Sequence, residues 1–474
     1  MCGAMRSCAA QIAFQSGAVL LDVSAVGVAL ISVRFLDASL SRNYGIVGCV
    51  MPAPESSFRP STLARSTRAD QALLFLAAFL RSLVIGMTGV LLAIHLSSSG
   101  WDIKTIGTLV TAGLAGNAAA TLLTSLLSAR AGSRKTLALL ALLNAAGSLS
   151  LALTRRPGLL LLTAFFGMVN ALGRDRGPAY ALEQAILPQT TTPERRTFLL
   201  AWYALTLDGG LALGSLLAGA PHLLRTHWLW ASQPAYRAAW ILAACLSLLS
   251  AILSASLSSR MELPGSERAG SFSLLPKVKP ESRRRITRLA LLTGMDSFGG
   301  GFLTTALVSF WFFRRFGIGE QYLGPLFFGA RVANAASHLV AAWLAGRIGL
   351  LNTIVLTHLP SSLFLMAVPF APNFAWATVL FLCREALVEM DVPTRQSYIV
   401  AVVEPGERAV ATGMSVLTRN VAYATAPVGA GLAMSGLSFA SPLFFGAGIK
   451  IAYDILLYVS FRRIKPPEER GNPQ

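Results

Sequence analysis

The chain has 474 residues, of which 54% are hydrophobic and only 13% are charged, with a formal net charge of +18. Soluble domains carry about 25% charged residues, whereas here the apolar residues occur in runs of roughly 18 or more, which are long enough to cross a bilayer. This composition excludes an ordinary soluble protein. The basic residues lie between the apolar runs, a pattern that orients membrane proteins, so we expect no nucleic-acid partner.

Residues 1–64 precede the first clear apolar span and are predicted to form an N-terminal extension. The stretch 8–36 is fairly apolar but contains Asp22 and Arg34. A targeting segment, a weak further span and a protein that starts at Met51 are therefore all open. We favour a non-essential extension that is disordered or lies partly ahead of the true start.

From residue 71 onward the sequence contains about twelve apolar spans of transmembrane length. They predict an N-terminal six-helix bundle (65–258) and a C-terminal six-helix bundle (286–462). Between the bundles lies a linker, 259–285, which is rich in Ser, Pro and charge and is expected outside the bilayer; a short tail, 463–474, follows. The predicted spans are 71–96, 105–128, 134–154, 158–176, 197–219 and 235–258 in the first half, and 286–312, 322–346, 353–372, 375–393, 409–435 and 440–461 in the second.

Lysine and arginine are unevenly distributed between the two sides of the predicted membrane. The linker, the tail and the loops after spans 2 and 4 are basic, whereas the loops on the other side contain few such residues. Basic loops stay on the cytoplasmic side of a membrane. We therefore predict a multi-pass protein with both termini in the cytoplasm, most simply in the plasma membrane.

The two halves share sequence features in the same order. Residues 128–132 match residues 345–349, and the arginines of these segments, Arg130 and Arg347, stand 217 positions apart. A repeat in the same order is typical of parallel repeats in transporter folds. Three residues after span 4 also recur after span 10, each 212 positions later: Gln184, Pro193 and Arg196 in the first half, and Gln396, Pro405 and Arg408 in the second.

Twelve spans in two repeated halves, with these loops, resemble the major facilitator superfamily of secondary transporters over about residues 65–465. That family carries a motif between spans 2 and 3, roughly Gly-x-x-x-Asp-Arg-x-Gly-Arg followed by Arg or Lys. Ser125 replaces the first glycine here, and Ala129 and Gly346 stand at the aspartate positions. The gating contact that the aspartate makes in the family is therefore in doubt. The matching residues are Arg130, Gly132 and Arg134 in the first half and Arg347 and Gly349 in the second.

Segments 173–178 and 391–396 look like the loops after spans 4 and 10 in one branch of the superfamily, whose members are mostly uncharacterised. The resemblance implies a small-molecule substrate, contact with membrane lipid and a monomer. The chain lacks the phosphate-binding pattern Gly-x-x-x-x-Gly-Lys followed by Ser or Thr, so ATP is not expected to supply energy. We expect no cofactor, no metal site and no enzymatic activity.

Ionisable residues inside a span are costly unless they meet a partner or a wet cavity, so they are the first site candidates. Arg81 in span 1 and Asp296 in span 7 stand 215 positions apart, and the resemblance implies that both face a central cavity. Arg81 is expected to hold a substrate group, with Asp296 as counter-charge or proton acceptor. Alternatively, the two form a structural ion pair between the halves.

Span 10 contains Arg384, Glu385 and Glu389. The two glutamates are four residues apart and share one helix face, where a pair of carboxylates at low dielectric suits a proton carrier. Alternatively, both simply neutralise Arg384 and the basic inner loops. With Arg81, Asp296 and Arg331, these three residues are the predicted substrate and coupling site.

Asp208 in span 5 and Arg331 in span 8 are predicted to pair, because these spans pack together in the superfamily. Arg419 and Asn420 in span 11 stand at almost the same repeat position as Asp208. We group Asp208, Arg419 and Asn420 as gating or structural residues.

Span 12 contains Lys450 and Asp454, four residues apart, which are predicted to satisfy each other without a transport role. The sequence as a whole predicts an all-α secondary active transporter that works by alternating access and is coupled to an ion, most simply a proton. Uptake and efflux are both open. The alternative function is a non-transporting receptor or sensor on the same scaffold, against which the short linker and tail argue.

Overall fold

The computed structural model describes residues 60–192, 195–262, 280–391, 395, 398 and 407–462. Within these residues all regular structure is helical, so the predicted all-α class is confirmed. Most of the predicted N-terminal extension, the centre of the linker and the tail lie outside the described residues. So do three members of the predicted repeat, Pro193, Gln396 and Pro405.

The helices follow the predicted spans in chain order. In the first half they are α1 (Pro60–Ser98), α2 (Ile103–Ala131), α3 (Ser133–Leu153), α4 (Pro157–Phe166), α5 (Pro178–Ile186), α6 (Arg196–Leu217), α7 (Ala220–His227) and α8 (Ser232–Ala255). In the second half they are α9 (Pro280–Gly301), α10 (Thr305–Phe316), α11 (Glu320–Ile348), α12 (Leu350–Ala367), α13 (Phe374–Val388), α14 (Arg408–Gly436) and α15 (Ser441–Phe461).

Among the described residues, seven segments are long and apolar enough to cross a membrane, and they correspond to predicted spans 1, 2, 3, 5, 6, 9 and 12. Large side chains such as Leu153 and Ile252 are exposed on them, as a lipid-facing surface requires. Spans 4 and 7 are each divided into two helices, and spans 8, 10 and 11 contain charged residues. The five spans outside this set therefore contain most of the residues predicted to form the site.

Span 4 is interrupted, which corrects its predicted limits. Helix α4 ends at Phe166, an irregular segment follows over residues 167–177, and α5 begins at Pro178. Glycine and a proline at the first turn of α5 favour such a break, because neither supports a continuous helix. Arg174 and Arg176 were predicted in the loop segment 173–178, and they lie within this interruption.

Asparagine side chains stabilise the irregular segment. Asn117 Nδ2 donates to the carbonyl oxygen of Met168 at 3.0 Å, and Asn144 Nδ2 donates to that of Gly167 at 3.2 Å. Asn170 Nδ2 donates to the carbonyl oxygen of Arg174 at 2.8 Å. Backbone groups that leave a helix inside a membrane protein need such partners, so these amides make the break stable.

A single glycine joins consecutive helices at the same place in each half. Gly132 connects α2 to α3 with φ 87° and ψ 155°, and Gly349 connects α11 to α12 with φ 84° and ψ 161°. Only glycine adopts this backbone region without strain. Both glycines of the loop motif are therefore required for the same reason, the backbone conformation at this connection. The repeat of the sequence is matched by a repeat of the backbone.

Among the described residues, the large buried apolar cluster shared by both halves lies at one end of the bundle. The largest buried cluster mixes residues of both halves, such as Val90 and Leu109 with Phe312 and Leu443, whereas two other clusters contain residues of one half each. We call the end beyond Ser98 and Phe316 the closed end. The two separate clusters lie toward the opposite end, which contains Gly132 and Gly349, and we call it the motif end.

Hydrogen bonds and an ion pair reinforce the closed end. Ser309 Oγ donates to the carbonyl oxygen of Val90 at 3.0 Å, and Arg225 Nη2 lies 2.5 Å from Glu320 Oε1. Further polar contacts between the halves, such as the bond from the Val428 backbone nitrogen to Thr111 Oγ1 and the pair of Arg174 with Glu389, lie toward the closed end or at mid-depth. The molecule is therefore closed on one side of a central region.

Replacing Gly349 by alanine is expected to destabilise the protein by about 1–3 kcal/mol, because the added Cβ strains a backbone conformation that favours glycine. The measurement is thermal unfolding of the purified protein in detergent. Gly346→Ala is the matched control: it lies in helix α11 with open space around its Cβ position, so it should be neutral or slightly stabilising. Equal melting temperatures for the two variants would contradict this account.

Candidate functional site

A central cavity lies against the irregular segment and helices of the second half, and its empty volume, counted together with space open to solvent, is about 680 Å³. Apolar side chains such as Phe327 and Phe381 form part of its wall. Five cationic side chains and three carboxylates also line it: Arg174, Arg331, Arg384, Arg395 and Lys450, with Asp296, Glu385 and Asp391.

Asp296 is the most heavily engaged carboxylate of the cavity. It is buried on α9, where Oδ1 lies 2.5 Å from Lys450 Nζ and Oδ2 lies 2.8 Å from Arg395 Nη1. His358 Nε2 is 3.7 Å from Oδ1, and the other ring nitrogen, Nδ1, lies 2.9 Å from Asp454 Oδ1. The five side chains form a continuous buried network, which we call the Asp296 network.

This network shows that the predicted pairing of Lys450 with Asp454 is wrong. Lys450 contacts Asp296 on α9, and Asp454 contacts His358 on α12. Residues four apart on a helix can pair, but buried charges favour partners on neighbouring helices that surround them more completely. Lys450 also lines the cavity, so it belongs with the candidate site.

Arg81 does not pair with Asp296, and each residue contacts partners in its own half. Arg81 Nε lies 2.8 Å from Asp175 Oδ2, and Nη1 and Nη2 lie 2.8 and 2.7 Å from the two oxygens of Glu183. This fork-like geometry is the strong form of an arginine–carboxylate contact. Glu183 also accepts a hydrogen bond from the Tyr203 hydroxyl. The predicted ion pair between the halves is therefore not formed by these residues.

Arg81 lines a second cavity of about 580 Å³ inside the first half. Its other polar lining residues include Asn117, Asn144 and Ser247. The cavity is separate from the central one, whose lining does not include Arg81. Binding of a substrate group by Arg81 stays a prediction.

The two glutamates of span 10 each contact cations or amides. Glu385 contacts Arg384 and accepts a hydrogen bond from Asn334 Nδ2 at 3.0 Å. Glu389 contacts Arg174 and lies 4.0 Å from Arg176 Nη2. Arg174 belongs to the first half and Glu389 to the second, so this contact links the halves at mid-depth. Proton transfer through the two glutamates stays a prediction.

Asp208 and Arg331 do not form the predicted pair, because no ion pair within 4.0 Å joins them in the described part of the chain. Their helices, α6 and α11, do pack together. Arg419 Nε donates to Ser297 Oγ at 3.3 Å, and Asn420 beside it is partly buried on α14. Their role in gating stays a prediction.

A family model described as the Major Facilitator Superfamily matches residues 74–390. The chain belongs to the Major Facilitator Superfamily. Family and fold identify a secondary transporter rather than an enzyme, in agreement with the prediction from the sequence. The match confirms the predicted fold of two six-helix halves, and neither family nor fold supports the receptor alternative.

Relatives extend over most of this transporter. An uncharacterized membrane protein of Saccharomyces cerevisiae is 23% identical over 420 residues, which cover 83% of this chain and 94% of the yeast protein. The structure is also similar to the nucleoside transporter NupG, with 13% identity, a TM-score of 0.67, and coverage of 83% of this chain and 100% of that chain. A D-xylose-proton symporter gives 14% identity, a TM-score of 0.66, and coverage of 86% and 100%. At this identity the structural likeness shows the fold alone.

The superfamily loop motif lies at the motif end, away from the cavity. Arg134 Nη1 donates to the carbonyl oxygen of Leu257 at 3.0 Å, Arg130 is exposed, and the Arg347 guanidinium lies 4.4 Å from the Trp343 ring centre. At the start of α3, Glu262 accepts a hydrogen bond from the backbone nitrogen of Ser133 at 2.5 Å. A carboxylate thus lies beside the motif glycine although the motif aspartate is missing.

Four residues of the site were missed from the sequence: Arg174, Arg395, Lys450 and His358. Arg174 and Arg395 follow the apolar part of spans 4 and 10, so a hydropathy argument places them in loops. Lys450 and His358 are ionisable residues inside apolar spans, and the rule that identified Asp296 applied to them as well. Among the described residues no His, Cys, Asp or Glu cluster suits a metal ion.

Replacing Asp296 by asparagine is expected to cost about 3–5 kcal/mol of stability, because it leaves buried Lys450 without a carboxylate. Adding Lys450→Met should recover part of this loss, since the uncompensated charge is then removed. Thermal unfolding of the two single variants and the double variant measures the coupling. Lys135→Met removes an exposed cation and should change stability by about 0.5 kcal/mol or less. Additive effects of the two network substitutions would refute the assignment.

Proposed function

We propose that this protein moves a small solute across the plasma membrane by alternating access, driven by an ion gradient. One observation carries the proposal: the halves are packed together at the closed end and form separate apolar clusters toward the motif end, around a charged central cavity. A binding site reached from one side at a time is the requirement for this mechanism.

Opening of the closed end requires specific contacts to break. Thr305 on α10 donates through its backbone nitrogen and its Oγ1 to the carbonyl oxygen of Leu172, at 3.4 and 3.1 Å. Ala306 makes a similar backbone bond to Ala171. These bonds join the interruptions of spans 4 and 7, so the halves are held together where both helices are irregular. Rocking of the halves would break them.

Coupling to protons is supported by the Asp296 network. Asp296 neutralises Lys450 and Arg395, and His358 lies between Asp296 and Asp454. Protonation of Asp296 would release Lys450 and Arg395. Binding of a proton would then change how α9, α12 and α15 are arranged. A proton also has a chain of titratable groups along which to move. Glu385 and Glu389 are kept as a second coupling candidate.

A disulfide across the closed end should stop transport. A Cβ atom built on Gly89 of α1 lies 3.1 Å from the Thr305 Cβ, close to the ~3.5–4.5 Å Cβ separation of a disulfide. In a chain whose five native cysteines are replaced, Gly89→Cys with Thr305→Cys is expected to abolish transport under oxidising conditions. A reductant should restore it. The readout is untargeted mass spectrometry of metabolites inside and outside cells, compared with cells lacking the protein.

The two single-cysteine variants are the matched controls and should transport with or without oxidant. Transport by the oxidised, cross-linked protein at the reduced rate would refute alternation at this end. If the parent protein shifts no metabolite while present in the membrane, the proposed function fails. A proton-coupled carrier should also lose its solute gradient when a protonophore is added, and an unchanged gradient would exclude proton coupling.

We also propose that the motif end faces the cytoplasm, as the basic loops predict, so that the structure represents an inward-facing state. Leu229, between α7 and α8 at the closed end, is 86% exposed. In the cysteine-free chain, Leu229→Cys should react with a membrane-impermeant maleimide on intact cells. Lys135→Cys, exposed at the motif end, should react only after permeabilisation. The reverse labelling would invert the orientation.

A further inference from the structure

Among the described residues, four of the five cations that line the central cavity contact a carboxylate and one does not. Arg174 contacts Glu389, Arg384 contacts Glu385, and both Arg395 and Lys450 contact Asp296. In the part of the chain that the structure describes, Arg331 has no ion-pair or hydrogen-bond partner. It nevertheless lines the cavity from α11. Glu389 and Asp208 interact with this guanidinium electrostatically but lie beyond 4.0 Å, so a group in direct contact with the charge is still missing at mid-depth.

Arg331 lies at the interface between the halves. A Cβ atom built on Gly173, in the irregular segment of the first half, would lie 3.4 Å from Arg331 Nη2. Gly173 has φ 77°, so its conformation favours the absence of a side chain at this point. A group bound to Arg331 would therefore touch both halves at once. Asp208, the predicted partner, is beyond 4.0 Å and does not line the cavity.

The rest of the wall is suited to an apolar body. Phe327 and Phe381 stand edge to face with ring centres 5.7 Å apart, and both line the cavity. Leu303, Val308 and Leu365 continue this apolar surface. Arg331 lines the same cavity, four residues after Phe327 on α11, and a guanidinium combined with such apolar walls suits an acid with an apolar portion.

We propose that the central cavity binds a small organic anion, whose carboxylate or phosphate is held by Arg331 while its apolar portion packs against Phe327 and Phe381. The proposal deepens the proposed transport function and rests on it for physiological meaning. Cations exceed carboxylates in the lining by five to three, and one positive charge remains when Glu389, which contacts Arg174, is counted, so the charge of the cavity also favours an anion. The planar guanidinium can donate two parallel hydrogen bonds to such a group.

Three probes of nearly equal shape test the charge requirement: benzoate, benzamide and benzamidine, which are anionic, neutral and cationic. Binding is read from the rise in melting temperature of the purified full-length protein in detergent as probe concentration increases. We expect benzoate, and likewise phenyl phosphate, to stabilise the protein. Benzamide and benzamidine should not. No shift with either anion, or an equal shift with benzamide, would overturn the proposal.

Arg331→Gln and Arg331→Ala should weaken the benzoate effect by about tenfold or more, because a hydrogen bond to a charged group is lost. Arg331→Lys should retain only part of it, since lysine lacks the planar fork. Asp208→Asn is the control, and it should leave benzoate binding intact or stronger. If neither Arg331→Gln nor Arg331→Ala folds, benzoate binding by Arg331→Lys is the deciding measurement. Unchanged binding by that variant would contradict the two parallel hydrogen bonds from Arg331.

The binding experiment is independent of the transport experiment. Stabilisation by benzoate without any metabolite shift would support the anion site and refute transport. A metabolite shift restricted to neutral or cationic solutes would support transport and refute the anion site.

Discussion

Charges in the middle of a membrane protein must be neutralised by one another, because neither lipid nor packed apolar side chains can solvate them. This constraint organises the transporter. Asp296 on α9 is surrounded by Lys450, Arg395 and His358, and Arg81 on α1 is surrounded by Asp175 and Glu183. In both halves a charged residue on the first span forms ion pairs with the segment within or after the fourth span. These ion pairs fix the path of the chain around the cavities.

The halves repeat the positions of these contacts but not their chemistry. The charge on the first helix is positive in the first half and negative in the second. A further polar bond joins the third span to the sixth in each half. In the first half, Ser247 Oγ on α8 donates to Asn144 Oδ1 on α3 at 2.9 Å.

In the second half the corresponding helices, α12 and α15, are joined by His358 and Asp454. Hydroxyl and amide groups hold one bundle where titratable groups hold the other. Among the contacts between these helix pairs, the groups able to exchange a proton therefore lie in the second half, beside the central cavity.

The fold could be predicted from the sequence because hydropathy, loop charge and the repeat depend only on the order of residues along the chain. The glycines at 132 and 349 were recognisable for the same reason, since backbone conformation selects that residue locally. The partners of Arg81 were not predictable. Asp175 lies in an interruption that ends an apolar run early, and Glu183 lies on the short helix beyond it. Only the three-dimensional path of span 4 brings both carboxylates back to α1.

The site was predicted in part for a similar reason. Burial cost identifies ionisable residues within spans, and Asp296, Arg331, Arg384 and Glu385 all line the central cavity. Which residues form ion pairs depends on the rotation of each helix about its axis and on the helices beside it. The spacing of residues along the sequence does not give this information. The pattern at Lys450 and Asp454 suggested a local pair because it considered one helix alone, whereas each residue contacts a different neighbouring helix.

The interruptions of spans 4 and 7 explain how opening and hydration are linked. Unwinding frees backbone groups that must find partners in a medium with little water. In the closed end, Leu172 and Ala171 obtain theirs from Thr305 and Ala306 of the other half. The two bonds donated by the backbone nitrogens of Thr305 and Ala306 persist when a side chain is substituted, whereas the bond donated by Thr305 Oγ1 does not. When the halves separate, water is the partner that can replace them, and water that reaches Leu172 also reaches the cavity that this residue lines. Opening the closed end therefore also admits water to the site from that side.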